Sequence, residues 1–220
     1  MDLWVEFVKL NGYADDTSAH EADEDIEALI PKLEHDARNI LEFMASNQLV
    51  ANTQKTDLII FKPNRKNEEP RSVFVVDAHV QESKQIKLLG LTISCDLRWT
   101  AHLKLLESAT AQRIGLIRRM RTTLSQENLR TVAFGLVISK IRYGLAVFGR
   151  LQFRSEDATP TELKHLQIML NGLMRIMTGN KLKDKKSIGK LMEETGLPAI
   201  NQLIAESTLN EMWRLSLIHI

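Results

Sequence analysis

Cysteine is almost missing from this sequence. Cys95 stands alone among 220 residues, so no intramolecular disulfide can form and a reducing compartment is expected. Long apolar runs are missing as well. The longest uncharged apolar stretch near the middle, TVAFGLVIS, is closed off by Arg130 and Lys140 and is far too short to cross a bilayer, so no membrane partner is expected. The first residues show no basic leader followed by an apolar run, because Asp2, Glu6 and Lys9 interrupt them; an intracellular chain, nuclear or cytoplasmic and not secreted, is expected. Internal repeats and low-complexity segments are absent too. What remains, at 44% hydrophobic and 26% charged residues, is the composition of a globular chain able to bury a sizeable core.

Charge is scarce only in the net. Residues 1–60 hold 13 Asp/Glu against 4 Lys/Arg, a local charge of −9, whereas the rest of the chain holds 15 acidic and 25 basic residues, +10. Between residues 97 and 150 ten basic side chains face only Glu107 and Glu127. A field this uneven points to an anionic partner over the middle of the chain, nucleic acid first, or else to basic helix faces that are merely solvated.

The periodicities predict an α+β chain. LWVEFVKL alternates as a strand, with YADD in the turn of a hairpin. From Glu21 onward Ile26, Leu29, Ile30, Leu33, Ala37, Ile40, Leu41 and Met44 repeat at helical spacing, with acidic residues crowding the first turns and Pro31 predicting a kink or restart. KTDLIIF, RSVFVVDAHV and IKLLGLTIS each predict a strand, separated by the polar loop KPNRKNEEP. Beyond Trp99 the pattern is helical nearly throughout. Leu103, Leu106, Ala109, Ile114, Ile117 and Met120 share one side of a first helix, with Lys104, Arg118 and Arg119 on the other. NLRTVAFGLVISKIRYGLAVFG is apolar on most faces, as in a central buried helix. Thr159 and Glu162 around Pro160 form a capping box for a helix that stops at Gly179; a short helix from Ser187 to Gly196 and a last one from Ala199 follow.

Adjacent aspartates on a hairpin turn present hard oxygen donors from one tight backbone site. Mg²⁺ takes one or two protein carboxylates together with substrate phosphates, and paired metals serve phosphoryl transfer. Asp15 and Asp16 in GYADDTSAH therefore suit a metal site, but as a pair alone they more often mark a solvated turn, which aspartate favours for its own hydrogen bonds.

The surroundings of these two residues resemble the catalytic core of reverse transcriptases, most closely those of non-LTR (LINE-like, jockey-type) retrotransposons. YADD is followed by an amphipathic helix and then NTQKTDLIIF, in which Asn52, Lys55 and Thr56 match an N..KT pattern; Phe43 stands where that family often has tryptophan. IKLLGLTISCDLRWTAHL is similar to the primer-grip strand and its continuation, a Leu-Gly-Val-like turn followed by Leu97, Trp99 and His102 at the usual spacing, with Ser94 where aspartate is common. LVISKIRYGLAVFG and LQIMLNGLMRIMTG are similar to the helices beyond the palm, so the resemblance covers almost the whole chain in order.

The resemblance implies a partial reverse-transcriptase palm over residues 1–99 and a helical, thumb-like region over 100–220. The activity implied is RNA-directed DNA synthesis by two-metal nucleotidyl transfer on an RNA template and DNA primer, with dNTP as substrate. Asp15 and Asp16 would help hold two Mg²⁺ ions, for which Mn²⁺ could substitute, and Tyr13 and Ala14 would line the hairpin near the primer terminus. Lys55 would donate a proton to the leaving pyrophosphate, or is simply a surface lysine. Lys87, Leu89 and Gly90 would lie near the primer backbone, Gly90 either admitting a strand closely or only permitting a bend. Arg113, Arg118, Arg119 and Arg121 would contact phosphates. By contrast, Trp99 and His102 are expected to fix a strand-to-helix junction, the methionines between 169 and 192 to fill the core, and Cys95 to be inert.

The family's third catalytic aspartate and its fingers precede YADD and find no counterpart here, so this chain is expected not to polymerise by itself. No endonuclease or RNase H pattern is present. LSLIHI at residues 215–220 resembles a translated sequencing-adapter tail, or continues an apolar helix. The rival expectations are a non-enzymatic nucleic-acid-binding remnant and a pseudogene product.

Overall fold

Asp25 opens the first helix. In the computed structural model, which describes residues 5–61, 70–75, 78–149 and 161–218, its side chain accepts the Glu27 N–H at 3.0 Å and caps α1, Ile26–Ser46. The helix continues through Pro31 without the expected restart, although proline leaves the Glu27 carbonyl without its helical donor. Ion pairing of Lys32 with Asp23 at 2.6 Å steadies this first stretch.

The described strands form three separate two-stranded sheets, so the chain is α+β. β1 (Lys9–Tyr13) pairs antiparallel with β2 (Asp16–His20), and β3 (Ser72–Val75) antiparallel with β4 (Ala78–Gln81). β5 (Gln85–Leu88) lies beside β6 (Leu91–Ser94). Three strand expectations are corrected here. The first strand begins at Lys9, because residues 6–8 spend their backbone N–H groups on the Asp36 carboxylate and not on a ladder. KTDLIIF contributes only one parallel bridge, Leu58 to Glu82, with the Ser83 N–H donating to the Leu58 carbonyl. RSVFVVDAHV and IKLLGLTIS are each a hairpin and not one strand. In the second of these Leu89 and Gly90 turn the chain with φ of 46° and 81°, both positive as a type I′ turn requires.

Two compact units divide the chain, Met1–Leu88 with Ile93–Arg98, and Leu89–Thr92 with Trp99–Ile220. The first unit buries little apolar surface. Val8, Val73 and Val80 are its fully buried hydrophobic side chains among the described residues, and polar contacts do much of the holding. The Glu34 carboxylate accepts the Phe74 N–H at 2.7 Å, and Arg71 pairs with Glu27.

The second unit has a large core. α2 (Thr100–Met120) lays Leu103, Leu106, Ile114 and Ile117 against α6 (Thr161–Thr178), which contributes Leu166, Leu170, Leu173 and Met174. The apolar central run is not one helix. α3 (Gln126–Ala133), capped by Ser125, passes into a π-helical turn at Phe134–Ile138 and on to α4 (Ser139–Arg142). Tyr143 is extended, Gly144 takes φ 70°, and α5 (Leu145–Phe148) follows. Thr159 and Pro160 of the expected capping box lie outside the described residues, as does the Glu162 side chain. Gly179, with φ 74°, ends α6 as expected; Ser187 caps α7 (Ile188–Thr195), Gly196 closes it, and α8 (Ile200–Ile218) completes the unit. Residues 215–218 continue that last helix, and 219–220 lie outside the described residues. No described helix is long and apolar enough to cross a membrane.

Candidate functional site

Tyr13 faces Asp16 as the last pair of the β1–β2 ladder, which leaves Ala14 and Asp15 as a two-residue loop. Only Ala14 of these two takes a positive φ, 54°, the signature of a type II′ turn whose first position favours glycine. Tyr13, Asp15 and Asp16 are all exposed at this tip. Further down, the Asn11 amide meets His20 Nδ1 at 3.2 Å and Ser18 Oγ donates to the Asn11 carbonyl. The result is two neighbouring carboxylates held at a backbone-defined spot in water.

What anchors the start of this hairpin is a side chain that sequence reasoning missed. Asp36, in the middle of α1, is fully buried. One of its oxygens accepts the Glu6 N–H at 2.9 Å, and the other accepts Phe7 at 2.6 Å and Val8 at 2.7 Å. Burial pushes its carboxyl upward, but the Glu6, Val8 and Phe7 N–H groups, helped by His35, outweigh that and hold it below the usual carboxylate range. The only sequence signal was an aspartate on an otherwise helical pattern, which reads more simply as part of a solvated face.

As a donor set, Asp15 and Asp16 fit a hard cation in part. They supply two carboxylates, leaving the remaining positions to water or phosphate oxygens. Among the described residues no group of three or more His, Cys, Asp or Glu side chains is gathered to hold a metal ion.

The other sequence-derived residues separate into two kinds. Lys55 ends a one-turn 3₁₀ helix, Thr53–Lys55, and is exposed. Asn52 organises that turn. Its side chain accepts the Gln54 N–H at 3.1 Å, while its carbonyl accepts from the Lys55 N–H and the Thr56 hydroxyl. Among the described residues no hydrogen bond or ion pair joins Lys55 to Asp15 or Asp16. Lys87 is exposed on β5. Gly90 has an intramolecular cover: a Cβ there would sit 3.3 Å from the Tyr143 ring, whose hydroxyl donates to the Leu89 carbonyl.

Among the arginines, Arg113 is committed within the fold, donating at 2.7 Å to the Leu136 carbonyl inside the π-helical turn. Arg121 lays its guanidinium against Gly179 at the end of α6. Arg118 and Arg119 are exposed in the last turn of α2, with no ion-pair partner among the described residues. At the other end of α2, Trp99 and His102 do sit at the strand-to-helix junction. The His102 ring lies 6.1 Å from Trp99 and 5.0 Å from Phe148, and its Nδ1 accepts the Thr92 N–H at 3.3 Å. Burial, and then Lys140, keep this imidazole below the usual histidine range, so it is neutral at pH 7 with its proton on Nε2.

Comparison of the chain with protein-family models, with curated proteins and with solved structures gave no match.

Proposed function

We propose that this chain carries the metal-binding hairpin, and the helices that follow it, of an RNA-directed DNA polymerase of the non-LTR retrotransposon kind. One observation carries the reading: YADD closes a two-residue hairpin whose tip exposes Asp15 and Asp16 side by side. On this reading the first unit belongs to a palm, the second is thumb-like, and the partners are an RNA template, a DNA primer and dNTP.

Asp15 and Asp16 would hold Mg²⁺ or Mn²⁺ through carboxylate oxygens, and the exposed Tyr13 ring would abut the primer terminus. A divalent ion bound there supplies charge stabilisation to the attacking and leaving oxygens of phosphoryl transfer. Lys55, exposed and free of an ion pair among the described residues, is available to give a proton to the pyrophosphate leaving group. Two carboxylates alone bind Mg²⁺ weakly, so the hairpin's affinity depends on phosphate oxygens completing the shell.

The experiment is a Mn²⁺ titration of the labelled chain followed by NMR line broadening. Amides of residues 14–17 should broaden first, and Asp15→Asn with Asp16→Asn should abolish the effect. Broadening that survives the double substitution would reject the site.

A second reading, nucleic-acid binding without chemistry, is favoured by the exposed and unpaired Arg118 and Arg119. Duplex binding that is steeply salt-dependent, together with no metal response at the hairpin, would select it.

A further inference from the structure

The C-terminal ends of α2 and α6 meet. Arg121, one residue beyond α2, packs against Gly179, one residue beyond α6. Two residues further on runs Lys181–Leu182–Lys183–Asp184–Lys185–Lys186, a loop that the sequence pattern did not single out. It is not slack. Arg175, in the last turn of α6, reaches the Lys181 carbonyl at 3.5 Å and the Lys186 carbonyl at 3.3 Å, clipping both ends of the loop to the helix. Asp184, the loop's one carboxylate, accepts the Lys181 N–H at 2.5 Å, and Lys185 turns the chain with φ 47°.

Asp184 keeps its charge in this arrangement, but it is a single carboxylate among four lysines. Lys181, Lys183 and Lys185 are exposed, and none has an ion-pair partner among the described residues; Lys186, by contrast, pairs with Glu194. Arg118 and Arg119 add two more bare cations within one helical turn of Arg121. Two helix C-termini carry only about −0.5 charge each, so cations at helix ends account for a small part of this cluster. Against the one carboxylate of Asp184 stand five exposed cations without an ion-pair partner among the described residues, so the cluster is net positive.

We infer that the joined ends of α2 and α6 form a binding surface for the phosphodiester backbone of nucleic acid, with Arg118, Arg119, Lys181, Lys183 and Lys185 as its contacts. Leu182, 83% exposed, is the loop's single large apolar side chain, too little to seat the loop in a lipid interface, which needs a broad apolar face. Planar guanidinium groups beside flexible lysines suit phosphate oxygens, the first as paired donors and the second as mobile point charges. The surface deepens the nucleic-acid half of the reading above but needs neither Asp15 nor Asp16.

The test uses the full chain in EDTA, a mixed-sequence DNA duplex of about 20 base pairs and fluorescence anisotropy between about 50 and 200 mM salt. Lys181→Gln/Lys183→Gln/Lys185→Gln should reduce the slope of log K against log salt by about 2 to 3, and Arg118→Gln/Arg119→Gln by about 2, at about 0.9 per lost contact. Both variants alter only exposed side chains, so circular dichroism and thermal midpoint should match wild type. Lys164→Gln, exposed near the opposite end of α6, should bind as wild type. The assay runs in EDTA and draws on no metal at the hairpin, so a failure here leaves the hairpin reading standing. An unchanged slope in both multiple variants, or an equal loss in Lys164→Gln, would overturn the surface. Competition by poly-glutamate as effective as by duplex would overturn its assignment to phosphodiesters and give it to an acidic polypeptide.

Discussion

Asp36 and Val8 are joined across 28 residues of sequence, the carboxylate of one accepting the main-chain N–H of the other at 2.7 Å in a fully buried position. Phe7 and Glu6 donate to the same side chain. One helical aspartate thereby fixes the segment leading into the β1–β2 hairpin, in a unit that has few buried apolar side chains to hold it otherwise.

Removing that carboxylate strands three backbone donors, of which the buried Val8 N–H costs about 1 to 3 kcal/mol if left unpaired. Asp36→Ala should therefore destabilise the first unit by at least about 1 kcal/mol, and the Phe7 and Val8 amides should lose hydrogen-exchange protection. The pH dependence has a definite sign. The folded carboxyl titrates below its unfolded value of about 3.9, so its stabilisation is complete above that value and is lost as pH falls toward the folded one. Acid titration of amide protection at Val8 measures both effects, and unchanged protection in Asp36→Ala would show that the carboxylate does not hold the segment.

Ala14 offers a test of the hairpin itself. A non-glycine residue at φ 54° carries roughly 1 kcal/mol of strain. Ala14→Gly should be neutral or stabilise the turn by up to about 1 kcal/mol, whereas Ala14→Val, branched at Cβ, should destabilise it by more. Amide exchange at residues 12–17 reads the difference. The opposite order would mean that the turn is not of this type.

These two residues mark what was legible beforehand. YADD announced its hairpin because a tyrosine, a two-residue loop and an aspartate fit a short alternating run. The helical half was legible because Leu103, Leu106, Ile114 and Ile117 repeat at helical spacing and Gly179 and Gly196 punctuate it. The strand pattern of IKLLGLTIS hid its turn because Leu89 occupies a left-handed position that leucine rarely takes, and the break showed only through Gly90 and the Leu-Gly-Val-like turn that the resemblance implied. Asp36 was hidden for a different reason. Its partners are backbone groups 28 to 30 residues away, and no local pattern encodes them. The π-helical turn was likewise invisible, since nothing local in Phe134–Ile138 marks a wider turn, and the Arg113 guanidinium that meets the Leu136 carbonyl comes from 23 residues away.

His102 makes stability of the second unit pH-sensitive in the same direction as Asp36 but in a different window. Burial depresses the folded imidazole below its unfolded value near 6.5. The contribution is fully present above about pH 6.5 and falls as pH drops from there toward the folded value, because the unfolded chain then binds the extra proton. Lys140 is the charged group that adds to the depression. Comparing thermal midpoints of wild type and His102→Phe between about pH 7.5 and 5.5 isolates this histidine from the other five. The wild-type midpoint should fall more steeply; parallel curves would show that His102 does not titrate differently on folding.

Arg113 and the pair Arg118 and Arg119 lie on one helix yet should respond oppositely to substitution. Arg113 is half-buried and satisfies the Leu136 carbonyl at 2.7 Å, in a π-helical turn where the regular ladder is disturbed. Arg113→Gln is too short to keep that bond. It should cost about 1 to 2 kcal/mol of stability, as for a part-buried acceptor that loses a charged donor. Arg118→Gln/Arg119→Gln touches only solvated side chains and should change stability by less than about 0.5 kcal/mol. Urea denaturation followed by circular dichroism at 222 nm, which reports the helical unit, separates the two. If Arg113→Gln unfolds at the wild-type midpoint, its guanidinium is not needed at the turn, and Arg113 rejoins its neighbours as a surface cation.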